Sequence, residues 1–431
     1  MRICVAGLWH LGGVTAACLA ARGHDVIGYD ADAATVSALS EGTPPILEPG
    51  LGDLVADGIA AGRLSFTADA AAALHDADVL WVTYDTPVDD DDHADVDAVL
   101  GHVRTLFPAV PDTLVVIVSS QVVAGTTRRL AEELRAARPE VAVSWAYSPE
   151  NLRLGKAIDA FQHAERIVVG VDDAAARAAL EPLVDSLAGH VEWMSVPSAE
   201  LTKHALNAFL ATSVTFINEV ARIAELVGAD AGEVERGLKS EPRIGPKAYL
   251  RPGAAIAGGT LARDVVFLEG LGAEGGVETP LLASIIPSNR SHSHWAERSL
   301  ERVLGELTGA RVAVWGLAYT VGTDTLRRSA SLELCRALAA RGAVVRAFDP
   351  VVSALPATDA GTAELARSAV DALDGAQALV VMTPWPEFLE VSPDALVAAM
   401  SDAIVLDPAG DVSATLGRDP RIRYLKVGVW R

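Results

Sequence analysis

Two stretches of this chain, one at its start and one from residue 311, follow the same order of elements. The first reads RICVAGLWHLGG from residue 2 and continues through a helical stretch to the strand HDVIGYD (24–30), which ends on Asp30. The second reads RVAVWGLAYT (311–320), then the helix SLELCRALAARGA and the strand VVRAFDP, which reaches Asp349. Apolar strands that alternate with helices are typical of parallel sheets with helices on both faces. The sequence therefore predicts two Rossmann-like, doubly wound α/β domains.

A long helical stretch separates the two repeats. Apolar residues recur at three- and four-residue steps through AELTKHALNAFLATSVTFINEVARIAELVGAD (199–230), which is the period of an amphipathic helix. A run of this length predicts a helix that links domains, and helical pattern continues to about residue 300. We therefore expect an N-terminal domain over 1–195, a helical central domain over 196–300 and a C-terminal domain over 301–431.

The charge balance narrows the class of partner. Asp and Glu number 57 against 35 Lys and Arg, so the formal net charge is −22. Nucleic acids and anionic membrane surfaces are bound through basic faces, so we expect neither as a partner. No uncharged apolar run of about 18 residues follows the first strand and helix, so no membrane-spanning helix is expected.

Cysteine usage and one acidic loop bear on compartment and metal binding. The three cysteines, at positions 4, 18 and 335, lack the spacing of a disulfide framework or a metal site, which indicates a reducing, cytoplasmic compartment. The run DDDDHADVD (89–97) clusters carboxylates without the spacing of a ligand loop. We interpret this run as a solvated turn and expect no metal.

The first glycine turn has most features of a dinucleotide-binding turn. Gly7 and Gly12 occupy its first and third glycine positions, and Asp30 follows at the distance of the acid that binds ribose hydroxyls. Trp9 stands at the middle position, where a glycine usually lets the backbone approach the pyrophosphate. The following helix offers N–H groups to phosphate, and VTYDTPV (82–88) would end at the same sheet edge. We interpret the turn as a nucleotide site; the alternative is a structural turn whose tryptophan covers the sheet.

Motifs along nearly the whole chain resemble those of the UDP-glucose/GDP-mannose dehydrogenase family. In chain order they are GLWHLG, YD at 29–30, ILEPGL (46–51), TPV (86–88), SSQVVAGTT (119–127), YSPENLRLGKAI (147–158), RIVVG (166–170), AELTKHALNAFLATSVTFINE (199–219), RIGPKAYLRPG (243–253), GGTLARD (258–264), WGLAYTVGTD (315–324), FDP (348–350) and TPWPEF (383–388). Each motif alone is weak, and their shared order carries the resemblance.

This resemblance implies a homodimer of three-domain chains. The N-terminal domain would bind NAD, the helical middle would carry the dimer contact, and the C-terminal domain would help to hold a nucleotide sugar. Members of the family oxidise the C6 alcohol of the sugar to a carboxylate in two hydride transfers. A cysteine captures the intermediate aldehyde as a thiohemiacetal, the second transfer gives a thioester, and water releases the acid.

The resemblance also assigns residues to the site. Lys203 and Asn207, four apart and so on one helix face, match a lysine and an asparagine that act on the sugar, together with Asp264 and Glu150. The lysine would assist proton removal and stabilise charge on the sugar oxygen; a solvated helix lysine is the alternative. The cofactor positions implied are Gly7, Trp9, His10, Leu11, Gly12, Asp30, Thr86, Gln121 and Arg327. The substrate positions implied are Leu152, Arg243, Tyr249, Leu250 and Gly253, of which Arg243 would reach the substrate of the neighbouring subunit.

The chain departs from the family at positions that the second oxidation needs. Thr260 stands where the nucleophilic cysteine belongs, and a hydroxyl, unlike a thiol, needs an adjacent base to attack a carbonyl. Leu154 replaces a carboxylate of the hydrolysis step, while Thr320 and Thr325 replace a lysine and an aspartate of the C-terminal domain. We therefore predict a single hydride transfer. The product would be an aldehyde or ketone, or retained NADH would return the hydride in an epimerisation or dehydration.

Two alternatives stay open from the sequence. One is an ordinary nucleotide-sugar 6-dehydrogenase in which Thr260 takes part in catalysis as a substitute nucleophile. The other is a catalytically silent homologue that binds a nucleotide sugar. The presence of Asp30, Lys203, Asn207 and Asp264 argues against the silent homologue, which would not need them.

Overall fold

The computed structural model describes residues 1–46, 48–89, 94–150, 152, 155–257 and 259–430. Two compact units divide the chain, Met1–Leu206 and Asn207–Arg431. Each unit contains one sheet in which parallel pairing dominates, so the predicted fold class is confirmed. The division into three domains stays a prediction.

The described part of the first unit builds an eight-stranded sheet in the order β3-β2-β1-β4-β5-β6-β7-β8. Its strands are β1 Arg2–Ala6, β2 Asp25–Tyr29, β3 Leu64–Thr67, β4 Val79–Val82, β5 Thr113–Val118, β6 Ala142–Tyr147, β7 Ile167–Val171 and β8 Val191–Met194. Neighbours pair in parallel except β6 and β7. The chain reverses its direction of growth across the sheet between β1 and β4, which is where ligands bind in such folds.

Helices cover both faces of this sheet. They are α1 His10–Ala21, α2 Ala33–Ser40, α3 Leu51–Ala60, α4 Ala70–Leu74, α5 Val96–Leu106, α6 Thr126–Ala137, α7 Ala157–Gln162 and α8 Ala174–Val184. Alternate residues of β1 enter separate cores, Ile3 and Val5 on one face and Cys4 and Ala6 on the other. Burial on both faces explains why the strand reads as an unbroken apolar run.

The predicted long helix is α9, Val196–Val227, close to the span that the sequence periodicity indicates. In the described part of the chain, four more helices follow α9 before the second sheet, and three accompany that sheet. They are α10 Ala231–Ser240, α11 Thr260–Glu274, α12 Pro280–Ser293, α13 Trp295–Leu304, α14 Ala330–Ala340, α15 Ala369–Ala372 and α16 Pro393–Ala399. Short 3-10 helices span Phe107–Ala109, Ala357–Asp359, Pro386–Glu390 and Leu416–Arg418.

The described part of the second unit repeats the topology of the first in seven strands, ordered β11-β10-β9-β12-β13-β14-β15. They are β9 Arg311–Trp315, β10 Val344–Phe348, β11 Glu364–Leu365, β12 Ala378–Val381, β13 Ile404–Leu406, β14 Arg423–Lys426 and β15 Val429–Trp430. Only the last pair, β14 and β15, is antiparallel. None of the helices in the described ranges is long and apolar enough to cross a membrane.

Candidate active site

The glycine turn of the first unit forms at the carboxyl end of β1. Gly7 has a φ of +95°, which favours glycine, and its N–H donates to Tyr29 O at 2.9 Å. A Cβ on Gly12 would lie 1.8 Å from Gly7 O, so α1 packs on the turn as only glycine allows. The N–H of Leu8 donates to Asp30 Oδ2 at 2.9 Å. The structure thus brings together both glycines and the acid.

Trp9 precedes α1 and leaves its first turn without a side-chain cap. Its φ of −75° suits any residue, so the turn forms without a glycine here. Trp9 is 49% exposed, which is not the burial expected of a side chain that covers the sheet. Asp or Ser side chains cap many other helices, among them those at Asp32, Asp69, Asp95, Asp173, Asp230, Ser329, Ser368 and Ser392.

The uncapped start of α1 suits an anion. The first N–H groups of an α-helix have no partner within the helix, and together with the helix dipole they attract phosphate. His10 and Leu11, both half-buried, form this first turn. The turn, its acid and the uncapped helix therefore fit the pyrophosphate and ribose of a dinucleotide such as NAD.

Two further predicted cofactor residues, Thr86 and Gln121, lie at the same sheet edge. Thr86 and Gln121 follow β4 and β5, whose parallel pairing brings their carboxyl ends together. The Thr86 hydroxyl donates to Gln121 O at 2.7 Å, and both residues are buried. Because β4 also pairs in parallel with β1, both residues share the edge of the Gly7 turn. Arg327 belongs to the second unit, where it is exposed.

After β6 the structure describes residues 148–150, 152 and 155–157. We call these described residues the substrate segment, and Lys203 from α9 contacts them at Glu150. The Nζ of this buried lysine donates to Glu150 O at 2.5 Å. The Glu150 carboxylate turns back on its own segment, where Oε2 accepts from the N–H of Leu152 at 2.6 Å. Leu154 lies outside the described residues.

A buried carboxylate that sequence reasoning missed joins the substrate segment to the cofactor turn. Glu48 Oε2 accepts from His10 Nε2–H at 2.9 Å and from the N–H of Gly155 at 2.8 Å. Its Oε1 accepts from the N–H of Ala157 at 2.9 Å. The ILEPGL motif that contains Glu48 was the one available signal, since it contributes to the family resemblance without a role attached to it.

Glu200, also missed, anchors the start of α9. It is fully buried and accepts from the N–H of Gly125 at 2.6 Å and from both the N–H and the hydroxyl of Thr127, at 3.0 and 2.7 Å. These groups lie at the start of α6, whose own N-cap residue is a glycine. Glu200 therefore supplies the cap of α6 and fixes α9 one turn before Lys203.

In the second unit, two of the predicted catalytic residues are in contact. Asn207 Nδ2 donates to Asp264 Oδ2, and both residues are buried. Asp264 lies in the second turn of α11 beside the buried Arg263. A buried carboxylate requires such partners, because an isolated buried charge is costly.

Thr260 is the first residue of α11 and is exposed. The preceding Gly259 has a φ of +76° and makes no side-chain cap. The same helix thus carries Asp264 in its buried second turn and Thr260 at its exposed end.

Two of the predicted substrate residues, Leu250 and Gly253, are buried, and the second unit fixes Gly253 from both sides. The N–H of Gly253 donates to Asn218 Oδ1 at 3.0 Å, and His292 Nε2–H donates to Gly253 O at 2.8 Å. Burial, with the charges of Arg222 and Arg298 nearby, lowers the pKa of His292 to about 4. The ring is therefore neutral at pH 7.

Arg243 and Tyr249 are instead exposed. Arg243 Nε donates to Glu241 Oε1 at 2.8 Å, and Tyr249 is 54% exposed. Among the described residues, no buried side chain donates a hydrogen bond to Arg243 or Tyr249, whereas His292 donates one to Gly253.

The glycine turn of the second unit is closed by its own acid. Asp349 Oδ2 accepts from the N–H groups of Leu317 and Ala318 at 2.7 and 2.9 Å and from Trp385 Nε1 at 3.0 Å. The helix that follows, α14, begins only at Ala330 and is capped by Ser329. In the long loop between turn and helix, Thr320 is exposed and Thr325 O accepts from the N–H of Tyr319.

All three thiols are buried in cores. Cys4 is in β1, Cys18 in α1 and Cys335 in α14, and each is fully buried. Burial raises the pKa of each to about 12, so none is a thiolate at neutral pH.

No cluster of three or more His, Cys, Asp or Glu side chains that could hold a metal ion occurs among the residues that the structure describes. Of the acidic run at 89–97, residues 90–93 lie outside those that the structure describes.

The sheet order, the glycine turn and its acid define the class, a dinucleotide-binding protein of Rossmann type. Three family models then match in succession along the chain. They are the NAD binding domain (1–187), the central domain (197–291) and the UDP binding domain (313–412) of the UDP-glucose/GDP-mannose dehydrogenase family. The chain belongs to that family, as the resemblance of its motifs indicated.

Similar proteins agree over nearly full length. The chain is 34% identical to UDP-glucose 6-dehydrogenase of Pseudomonas aeruginosa over 94% of this chain and 93% of that protein. It is 34% identical to UDP-glucose 6-dehydrogenase of Haloferax volcanii over 97% and 99%. The structure of a UDP-glucose dehydrogenase from Pyrobaculum islandicum superposes with a TM-score of 0.87 at 29% identity, covering 100% of this chain and 98% of that one. The chain is therefore an NAD-dependent oxidoreductase of the nucleotide-sugar dehydrogenase class.

Proposed function

We propose that this enzyme moves a single hydride between NAD and a UDP-activated sugar and does not carry the oxidation on to a uronic acid. The product is an aldehyde or ketone, or an epimerised or dehydrated sugar if retained NADH returns the hydride. UDP-glucose is the first substrate to test, because relatives of this chain are named UDP-glucose 6-dehydrogenases and the third family model is a UDP binding domain.

The state of Thr260 is the observation that carries this proposal. A hydroxyl attacks a carbonyl only when a base beside it removes its proton. Among the described residues, no hydrogen bond joins the Thr260 hydroxyl to a basic side chain. The first oxidation requires no nucleophile, whereas the family's second oxidation requires covalent capture of the aldehyde.

The cysteines of the chain offer no replacement. Cys335, Cys4 and Cys18 lie inside cores, and burial keeps all three thiols protonated. A thioester route would need one of them to leave its core and ionise, which the cost of losing buried apolar contacts opposes.

The first oxidation converts a CH–OH group to a carbonyl and releases one hydride and one proton. NAD supplies the hydride acceptor. Lys203, whose ammonium is fixed on Glu150 O, stabilises charge that develops on the sugar oxygen and assists removal of its proton. Asp264, held by Asn207, is the second catalytic group, and Glu150 completes the set. Leu152, Leu250, Gly253, Tyr249 and Arg243 bind the nucleotide sugar, Arg243 from the neighbouring subunit.

We propose that NAD binds at the Gly7 turn and exchanges slowly. The proposed contacts are Gly7, Trp9, His10, Leu11, Gly12, Asp30, Thr86, Gln121 and Arg327. The half-exposed indole of Trp9 at the uncapped helix start supports slow exchange, because its bulk stands where other dinucleotide turns have no side chain. A retained cofactor is what a redox-neutral reaction requires.

We propose a homodimer formed through the central helices. Phe209, Phe216 and Ile223 recur every seven residues along α9 and are 69%, 49% and 58% exposed. Leu226 and Val227 extend this apolar stripe. Exposed apolar patches of this kind mark interfaces, and a second copy is the partner that the resemblance implies. We propose the same division into domains as above, 1–195, 196–300 and 301–431, in a cytoplasmic enzyme.

The experiment is to incubate the purified enzyme with UDP-glucose, UDP-N-acetylmannosamine and GDP-mannose, with and without added NAD. NADH formation is followed by absorbance and the sugar products are identified by mass spectrometry. We expect a carbonyl or isomeric product and at most one NADH per sugar. A uronic acid accompanied by two NADH per sugar would contradict the proposal.

The names of the relatives favour a second candidate, an ordinary UDP-glucose 6-dehydrogenase in which Thr260 replaces the cysteine. In that case an acyl ester would form on Thr260, and rapid acid quenching would trap it on the peptide that contains this residue. Thr260→Val would then abolish acid formation, whereas under our proposal it leaves the first hydride transfer in place.

A further inference from the structure

Glu48 lies between the two segments of the first unit that the proposed function uses. One side of its carboxylate meets His10, the first residue of α1, next to the cofactor turn. The other side meets Gly155 and Ala157 of the substrate segment. These contacts join parts of the chain more than a hundred residues apart, and each is 2.8–2.9 Å long.

The burial of Glu48 makes this junction rigid. Its side chain is 1% exposed, and a buried carboxylate is tolerated only when donors surround it. Three donors do so here, two of them backbone N–H groups that have no rotamers to adjust. Hydrogen bonds to an ionised acceptor are also stronger than neutral ones. A displacement of any one donor is therefore opposed by the other two.

The proposed catalytic lysine contacts the same substrate segment at another of its described residues. The substrate segment that Glu48 holds at Gly155 also presents Glu150 O to Lys203 Nζ. His10, through Glu48, and Lys203 thus contact the substrate segment at different described residues, Gly155 and Ala157 for Glu48 and Glu150 for Lys203. His10 lies at the uncapped helix start where NAD is proposed to bind, and Lys203 is a group proposed to act on the sugar.

We propose that Glu48 is a positioning residue that couples the two ligands, so that bound dinucleotide strengthens binding of the nucleotide sugar. A ligand on the first turn of α1 fixes His10, which fixes Glu48 and through it Gly155 and Ala157. The second ligand then meets a substrate segment already in place. By linkage the sugar nucleotide must strengthen dinucleotide binding by the same factor. The inference rests on the proposed function, because it uses the same two ligand positions.

The test is calorimetric titration of the full-length protein, freed of bound cofactor, with UDP-glucose in the absence and presence of saturating NADH. NADH with UDP-glucose gives no turnover, so the readout is binding alone. We expect the dissociation constant of UDP-glucose to fall about tenfold with NADH, within the usual range of coupling between sites. The reverse titration should give the same factor.

Glu48→Gln is expected to reduce that factor to less than about twofold. An amide has one oxygen, so in either orientation the N–H of Gly155 or that of Ala157 loses its acceptor. His10→Ala is the second variant, because it cuts the junction at the cofactor end and leaves the contacts of Glu48 with Gly155 and Ala157. It should also reduce the factor, and it answers the question if Glu48→Gln does not fold.

Asp407→Asn is the matched control for general loss of stability. Asp407 is a fully buried carboxylate of the second unit that accepts from the N–H groups of Gly410 and Val412, at 2.9 and 2.8 Å. Asp407→Asn should lower the melting temperature, while the coupling factor between NADH and UDP-glucose stays at its wild-type value.

Each outcome decides the inference. A wild-type protein that binds both ligands with a factor near one would overturn it. A wild-type factor retained in Glu48→Gln would also overturn it, as would one retained in His10→Ala if Glu48→Gln does not fold. In these cases the proposed function stands. A wild-type protein that binds neither NADH nor any UDP-sugar would overturn the proposed function and this inference with it.

Discussion

The two α/β sheets share one strand order but differ in what occupies the backbone N–H groups after their glycine turns. In the first, Asp30 takes one N–H, that of Leu8, and α1 starts three residues after Gly7 with no side-chain cap. In the second, Asp349 takes the N–H groups of both Leu317 and Ala318 and the indole N–H of Trp385. There, Ser329 caps the helix.

This difference is the one expected between the Gly7 turn, which is proposed to bind NAD, and a turn with a structural role only. Backbone donors that the protein leaves without a cap are available to an anion, whereas donors already paired would have to break a buried hydrogen bond first. The same fold therefore hosts a dinucleotide in the first unit, while the second turn is stabilised from within. The sequence does not show this difference between the two turns, because both repeats have the same order of strand, glycine, helix and acid.

The largest effect is expected for Gly12→Ala, which attacks the binding turn. The added Cβ would lie 1.8 Å from Gly7 O, so α1 must move off the turn, at a cost of about 4 kcal/mol or more. NADH binding should be lost and the melting temperature lowered, as followed by calorimetry and thermal unfolding. Gly13→Ala is the control in the same helix. Its nearest neighbour would be Leu51 Cδ2 at 3.8 Å, so it should bind NADH normally, and a destabilised Gly13→Ala would contradict this account.

The Gly253 loop, like the turn closed by Asp349, is held by side chains of the second unit. Its contribution to stability should decrease at low pH. Because burial lowers the pKa of His292 from 6.5 to about 4, the unfolded chain binds more protons between these values. Stability present above pH 6.5 should therefore fall as the pH drops toward 4, by up to about 3 kcal/mol. Denaturant unfolding at several pH values measures this. His292→Gln should flatten the slope, and an unchanged slope in that variant would exclude His292 as the cause.

A pair of matched substitutions compares the two acids directly. Asp349→Asn should destabilise the protein by about 2 kcal/mol, since the buried N–H groups of Leu317 and Ala318 exchange a carboxylate acceptor for a weaker amide acceptor, without changing the affinity for NADH. Asp30→Asn, at a partly exposed position, should cost little stability but weaken NADH binding about tenfold. Chemical unfolding measures the stability of both variants, and titration with NADH measures their affinity for it. Equal effects on NADH affinity would erase the distinction between the turns.

The smallest effect is expected from substitution of Trp9, whose side chain stands at the Gly7 turn. The quantity affected is the rate of NADH release. Trp9→Gly should speed release of NADH several-fold, because it removes the side chain that crowds the helix start. Less NAD should also co-purify with the variant. Trp9→Phe keeps a ring there and should behave like the wild type. Stopped-flow release rates test this, and slower release from Trp9→Gly would be inconsistent with retention by the indole.

Local pattern was enough to predict much of the fold. The apolar run at 2–6 and the three- and four-residue period after 199 each predicted an element that the structure contains, β1 and α9. The spacing of Gly7, Gly12 and Asp30 predicted the turn, because turn geometry depends on residues close in sequence.

The long-range polar contacts could not be predicted in the same way. Glu48 and Glu200 accept mainly backbone N–H groups, at Gly155 and Ala157 and at Gly125 and Thr127. Every residue except proline has a backbone N–H group, whatever its side chain. The sequence therefore does not indicate which of these groups a distant carboxylate will accept from. The closure of the second turn by Asp349 escaped prediction for the same reason.

The most direct test of the one-hydride account compares the wild type with Thr260→Cys, each incubated with UDP-glucose and excess NAD. Thr260 begins α11 at an exposed position, so a thiol there would be accessible, and the helix start would favour its thiolate. We expect no UDP-glucuronic acid from the wild type and measurable acid from Thr260→Cys. Acid from the wild type at a rate equal to that of the cysteine variant would contradict the account.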